Sequence, residues 1–339
     1  MKLFLACFFS LFLFSAFAKK DTVVTYHDHK LNEISKKDYY TYYRKTFRTS
    51  ESTYGVLQFY RSGVLQMSGT LEIPSMTLTG LLVQYNPQGI LISEDYYENG
   101  LKEGLSKTWY SNGSSESEGT YLKNKKSGFW TTWHIDGSIQ SQGNYVDGDE
   151  EGEWNVWYKG DKIASTGNYK FGKRDGPWKN WFKNGSIEQE GTYKEDKREG
   201  AWTFYFQSGP VSAKEIYQNG EAVKVEFWDE QGNPVEPTDV LEKDPEFPGG
   251  EKAMLQFIQQ HIIYPELSRE MGEQGTIYVN FTVGGDGKIY DVNVLMGVSY
   301  LLDNEAIRVV KKMPDWVPGF SHNRVMDVLY LIPIKFTIA

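Results

Sequence analysis

The chain has 339 residues with 36 basic against 45 acidic side chains, a formal net charge of −9. That balance argues against holding phosphate backbones or anionic lipid by charge, so neither a nucleic-acid partner nor direct lipid binding is expected. Hydrophobic residues make up only 40%, yet aromatics reach 15% beside 33 glycines, which fits a β-rich, turn-rich chain and speaks against disorder.

Residues 1–18 read as a secretory signal peptide. Lys2 precedes an apolar run from Leu3 to Phe17, and Ser15-Ala16-Phe17-Ala18 forms a small-x-small site with cutting expected after Ala18. The run falls short of the ~20 residues a membrane span needs. The single cysteine, Cys7, lies inside it, so the mature chain is expected to have no disulfide, no thiolate nucleophile and no Cys-ligated zinc. Residues 19–53, with Thr22–Tyr26 and the cluster Tyr39–Tyr43, read as opening strands that cap a sheet.

From residue 54 the chain is repetitive, with a period of 24 residues. Gly80, Gly104, Gly128, Gly152, Gly176 and Gly200 set the period. Five places after each comes an aromatic (Tyr85, Trp109, Trp133, Trp157, Trp181, Tyr205), and seventeen places after each a tyrosine (Tyr97, Tyr121, Tyr145, Tyr169, Tyr193, Tyr217). A second tryptophan stands at offset two in Trp130, Trp154, Trp178 and Trp202, and Asn112-Gly113, Asp136-Gly137 and Asn184-Gly185 are hairpin dipeptides. Each unit therefore predicts strand, tight turn, strand and polar turn, stacked as an antiparallel meander over residues 54–235. Offsets two and five are of opposite parity, so either both faces carry aromatics or a bulge intervenes. The pattern G-x-W-x-x-W-x-x-x-G followed by G-x-Y resembles the MORN-variant repeat, a family associated with scaffolding. The ladder Trp109, Trp133, Trp157, Trp181 with Tyr121, Tyr145, Tyr169 and Tyr193 reads as cross-strand packing, with stacking against glycan rings as the alternative.

Residues 236–248, with Pro237, Pro245 and Pro248 among acids, read as a stiff linker. Beyond it the sequence predicts a helix at Glu251–His261 stopped by Tyr264-Pro265, a short helix at Glu266–Met271, strands at Thr276–Val283 and Ile289–Leu295, a helix at Leu302–Met313 and one long final strand at Val325–Ile338. This is a small α+β sandwich. The residues Phe247-Pro248-Gly249-Gly250, Tyr264-Pro265, Gly275, Phe281-Thr282-Val283, Asp286–Ile289 and Asn304-Glu305-Ala306 resemble the TonB C-terminal domain, here spanning 249–339. The fold class expected is thus mainly β, a meander of 24-residue repeats followed by a small α+β TonB-like domain.

That resemblance implies a periplasmic, Gram-negative envelope module that docks on outer-membrane receptors by adding their N-terminal peptide as a strand. It places the accepting edge on the last strand, at Val328, Tyr330, Ile332 and Ile334, with Arg269 where a peptide-contacting glutamine aligns. The apolar run at the N-terminus has no ionisable residue, so an inner-membrane motor is expected to be reached only through another protein. In the alternative reading the array binds glycan or protein and the TonB-like domain serves only as an interaction module.

No constellation for catalysis emerges, and no cofactor or metal is expected. His27 and His29 lack a third ligand. Asp147–Glu151 lacks the frame and closing glutamate of a calcium loop. Ser321-His322 has no nucleophile elbow around it.

Overall fold

The computed structural model describes residues 22–34, 40–236 and 242–338. The expected signal peptide with Cys7, Tyr39 and residues 237–241 of the expected linker lie outside them. The chain divides into two compact units, one ending at Gly200 and one spanning Ala201–Ala339.

In the first unit, Val23–His27 pairs antiparallel with both Glu33–Ile34 and Tyr42–Arg48, and Tyr42–Arg48 pairs on with Thr53–Tyr60. His27 is buried, its ring bonded to the Thr25 hydroxyl and the Leu31 carbonyl, whereas His29 is exposed in the turn beyond. From Thr53–Tyr60 to Ile187–Lys194 each strand pairs with the next in sequence, the meander expected of the repeats.

A bulge in the repeat unit resolves the parity question. Between Ser115–Leu122 and Lys125–Trp133 the register runs Ser127↔Thr120 and then Thr131↔Glu118, so Gly128, Phe129 and Trp130 all face the single residue Gly119. Gly128 turns this corner at φ +68°, a region that side chains with a Cβ rarely adopt, which is why a glycine recurs at this place. A second slip falls between Thr132 and Trp133.

The bulge drives the indole at offset two across the backbone of the preceding strand. A Cβ added at Gly119, Gly143 or Gly167 would stand 2.1, 2.2 or 2.0 Å from an indole atom of Trp130, Trp154 or Trp178. The rings form a continuous edge-to-face series, Tyr121–Trp130–Tyr145–Trp154–Tyr169–Trp178–Tyr193, with centroids 5.1–6.1 Å apart. Each such pair adds about 0.5–1.5 kcal/mol beyond burial. The indole N–H groups of Trp130 and Trp154 donate to the carbonyls of Thr120 and Asn144, so burial strands neither donor. Lys126 lies 4.4 Å above the Trp130 ring, where burial lowers the pKa of its ammonium.

This corrects the expected ladder. Its tyrosines are those anticipated, but its tryptophans stand at offset two, not five. Trp109, Trp133, Trp157 and Trp181 lie at the second slip, half-buried. The carbonyls of Trp133, Trp157 and Trp181 accept bonds from Tyr110, His134 and Tyr158 of the preceding unit. The polar turns are stitched similarly, Glu103, Glu151 and Asp175 accepting the backbone N–H of Lys123, Phe171 and Glu195. The acidic run at 147–151 therefore includes a structural tie to the next unit.

One unit replaces the glycine–indole pair with ions. Asp95 occupies the glycine position and Ser106 the tryptophan position. The Ser106 hydroxyl donates to Asp95 at 2.6 Å, as does the Lys102 ammonium at 2.8 Å, and Asp95 is only 2% exposed. Burial works against the Lys102 charge, but the hydrogen bond and charge of Asp95 outweigh it and hold the ammonium above its ordinary range.

In the second unit a three-stranded antiparallel sheet has Gly275–Val283 at its centre, flanked by Ile289–Met296 and the closing strand Val328–Phe336. Helices Gly250–His261 and Tyr300–Val310 contribute Met254, Ile258, Leu302 and Val309 to the core under its inner face. Glu242–Lys243 pairs with Phe320–Ser321, and Phe247 is buried in this core, so the expected linker is folded from Glu242 onward. The single strand expected over Val325–Ile338 is also corrected. Arg324–Met326 pairs back on Gly319–Ser321, and Asp327 breaks the run by accepting the Gly285 N–H. The turn uses His322 and Asn323 at φ +53° and +59°, a hairpin geometry normally signalled by glycine.

Gly143→Ala is expected to lower stability by about 1–3 kcal/mol through overpacking. Adding it to Trp154→Ala, where no indole remains to displace, costs much less; equal losses in both backgrounds, read from denaturant midpoints, contradict the steric account. Burial, then the charge of Glu150, pushes the Tyr145 phenol up to about 12, and burial also raises Tyr97 and Tyr169. Unfolded phenols ionise near pH ~10 while the folded ones hold their protons, so stability falls as pH rises from about 10 to about 12. Denaturant midpoints that stay flat while tyrosinate absorbance grows contradict this.

Candidate functional site

The closing strand alternates in burial. Ile332, Ile334 and Phe336 are 2%, 1% and 2% exposed, whereas Leu329 and Leu331 on the opposite face are 69% and 49% exposed. Tyr330 also points inward, its ring 4.9 Å from that of Trp316 and 5.8 Å from that of Phe281. Its strand partner among the described residues is Gly275–Val283, in the unbroken register Val283↔Val328 to Gly275↔Phe336.

Proline fixes which backbone groups face the other edge. Pro333 opposes Tyr278 and has no N–H, so that pair cannot exchange ladder bonds. Antiparallel pairs alternate, so Lys335↔Thr276, Leu331↔Asn280 and Leu329↔Thr282 share that state. The N–H and C=O groups of Leu329, Leu331 and Lys335 therefore point away from the central strand, as does the Pro333 carbonyl. Val328, Tyr330, Ile332 and Ile334 are instead committed inward by backbone to the sheet, and the last three also by side chain to the core. The four residues expected to meet a partner strand thus turn their backbone groups to the central strand, and the outward-pointing groups belong to Leu329, Leu331, Pro333 and Lys335. Pro333 was the available signal.

Arg269 does reach this neighbourhood. Its guanidinium lies 5.6 Å from the Tyr264 ring centroid, and Tyr264 packs edge-on against Phe336 at 5.6 Å. Tyr264 also donates its hydroxyl to the Glu273 carbonyl. Glu305 accepts the Ile263 N–H at 2.6 Å and pairs with Arg308, which donates to the His261 carbonyl. Burial opposes the Glu305 charge, but these donors outweigh it and hold its pKa below the ordinary range. Glu305 therefore anchors the Tyr264-Pro265 segment.

The opposite edge strand, Ile289–Met296, is a poorer template. Its pairing slips twice, and Asp291 sits at φ +51°. Bulges of this kind twist an edge away from regular pairing.

A second buried polar cluster forms around the hairpin Gly319–Met326. The His322 ring stacks on Phe204 with centroids 3.6 Å apart, and His322 Nδ1 donates to Glu215 at 2.8 Å. Tyr217 donates its hydroxyl to the other Glu215 oxygen, Asn323 donates to the Trp228 carbonyl, and Arg324 donates to the Tyr205 carbonyl at 2.9 Å. Glu215, His322 and Arg324 are 4%, 8% and 4% exposed, so this carboxylate–imidazole pair is buried and serves as a clasp. It binds the hairpin to repeat residues 204–228 within the second unit.

Comparison with known proteins agrees with this architecture. Residues 260–338 match the family model of the Gram-negative bacterial TonB protein C-terminal domain, and residues 102–123 and 174–195 match the MORN repeat variant. The C-terminal residues 260–338 are thus similar to TonB C-terminal domains, and the array carries MORN-variant repeats. Two solution structures of the Helicobacter pylori TonB C-terminal domain are similar to it. One is 22% identical, covering 25% of this chain and 90% of that one, and the other 25% identical, covering 27% and 87%, each with a TM-score of 0.20. No curated protein matches the chain. No helix among the described residues is long and apolar enough to cross a membrane.

His322→Ala leaves the Glu215 carboxylate buried without its imidazole partner and is expected to cost about 3–5 kcal/mol. His29→Ala, at an exposed turn, stays within about 0.5 kcal/mol. Chemical denaturation of the full chain compares them, and similar midpoints for the two variants contradict the clasp.

Proposed function

We propose that the chain is a non-enzymatic periplasmic protein, exported by its N-terminal signal peptide, whose C-terminal domain docks the extended N-terminal segment of outer-membrane receptors in TonB-dependent transport. The repeat array is its scaffold and spacer, and an inner-membrane motor is engaged only through another protein. The observation that carries this reading is the closing strand, whose outward backbone groups lie beside the exposed Leu329 and Leu331. A row of outward strand groups next to apolar side chains is what strand addition requires, the backbone giving affinity and alternate side chains giving choice.

Glycan stacking on the ladder has less support. Trp130 and Trp154 are 3% and 8% exposed, each with a face against glycine backbone, so these two indoles offer no flat surface to a sugar ring.

The test is calorimetric titration of the full mature chain with N-terminal peptides of the host's outer-membrane receptors. Saturable binding is expected for at least one native peptide and for none of the scrambled versions. Binding that is equal for native and scrambled peptides, or absent for all, removes the docking role.

A further inference from the structure

The closing strand also specifies what kind of strand it accepts. Its outward positions read, in order, Leu329, Leu331, Pro333 and Lys335, and Lys335 is exposed. On the same face of the central strand these meet Thr282, Asn280, Tyr278 and Thr276, of which Tyr278 is 37% exposed and no residue is charged. The face therefore runs from an apolar half, through a position with no donor, to a single cation. Asp327 stands at the opposite end, its carboxylate accepting the Gly285 N–H, with the Asp286–Lys288 ion pair in the adjoining turn. The charge along this edge is polarised, negative beside Leu329 and positive beside Phe336.

Resting on the strand-docking reading above, we propose that the partner is an extended peptide carrying two apolar residues two positions apart, and an acidic residue four positions beyond the second, set against Lys335. The pattern runs in that order for a parallel partner and in reverse for an antiparallel one. Period-two geometry supplies the spacing, because the peptide residues beside Leu329, Leu331, Pro333 and Lys335 lie on one face of the added strand. The acid follows from Lys335, a cation in an otherwise uncharged row. Lys335 and the two leucines supply the register, and Pro333 lowers the affinity of every register alike. It withholds one ladder bond in any register, so what a partner slipped by two residues loses is the placement of its acid and its apolar pair.

The experiment titrates the full mature chain with blocked synthetic peptides Thr-Val-Thr-Val-Thr-Thr-Thr-Glu-Thr and its reversed sequence, and with versions in which Gln or Lys replaces the Glu. For one of the two orientations the affinity order Glu over Gln over Lys is expected, each step about threefold, compressed by added salt. Lys335→Glu reverses that order, while Pro333→Thr, which restores an outward N–H, tightens every peptide about threefold. Equal affinities for the Glu, Gln and Lys peptides in both orientations overturn the acidic requirement and leave strand docking standing. Binding that discriminates by charge yet ignores both variants places the peptide elsewhere and overturns the assignment to this edge. No binding by any of the peptides counts against this inference alone when native receptor peptides bind, and against the docking reading as well when they do not.

Discussion

The array depends on a volume that is missing. Where Gly119, Gly143 and Gly167 lack a Cβ, an indole from the next strand lies within about van der Waals contact of the peptide backbone, and the tyrosines on either side meet its faces and edges. A flat sheet cannot bring a ring that close, because side chains on a pleat stand away from it. The bulge at the period glycine supplies the extra length that drops the indole inward. Glycine, bulge and indole therefore form one device, and none of the three has a packing role without the others. The unit built on Asp95 and Ser106 shows the alternative, in which a carboxylate fills the space and a hydroxyl and an ammonium hold its charge.

The same economy governs the C-terminal domain, where paired polar groups act as fasteners. Glu305 and Arg308 tie a helix to the Tyr264 segment, and Glu215 and His322 tie the hairpin Gly319–Met326 to repeat residues. Apolar packing alone would tolerate sliding of such elements. Paired and hydrogen-bonded polar groups admit far fewer arrangements, since any shift strands a buried ion. The clasp also makes the boundary between repeat and domain indistinct, as Phe204 and His322 are neighbours although 118 positions separate them in sequence.

Much of this was legible in the sequence. The 24-residue spacing of glycine, tryptophan and tyrosine gave the meander, and alternation with Gly and Pro punctuation gave the helices and strands of the C-terminal domain. What escaped reading were places where backbone geometry departs from an ideal period. Parity counting fails across a bulge, so Trp133 stood for Trp130 as the ladder tryptophan. The turn at His322-Asn323 adopts positive φ without a glycine to announce it, so a hairpin and a strand merged into one. On the closing strand the apolar residues drew attention because they are apolar. Those are the residues the core takes, and the proline between them marked the side left open.

The pairing of each strand from Thr53 to Lys194 with its sequence neighbours has a mechanical consequence. Tension applied across a single hairpin of the array loads its ladder bonds one after another, as in a zipper, and not all together as in shear. Such an array yields unit by unit at modest load and re-forms by local contacts alone, because no long loop has to close first. A fold built in this way stores length that can be let out and recovered, with the ionic unit at Asp95 marking a joint where ions, and no glycine–indole pair, hold the next strand.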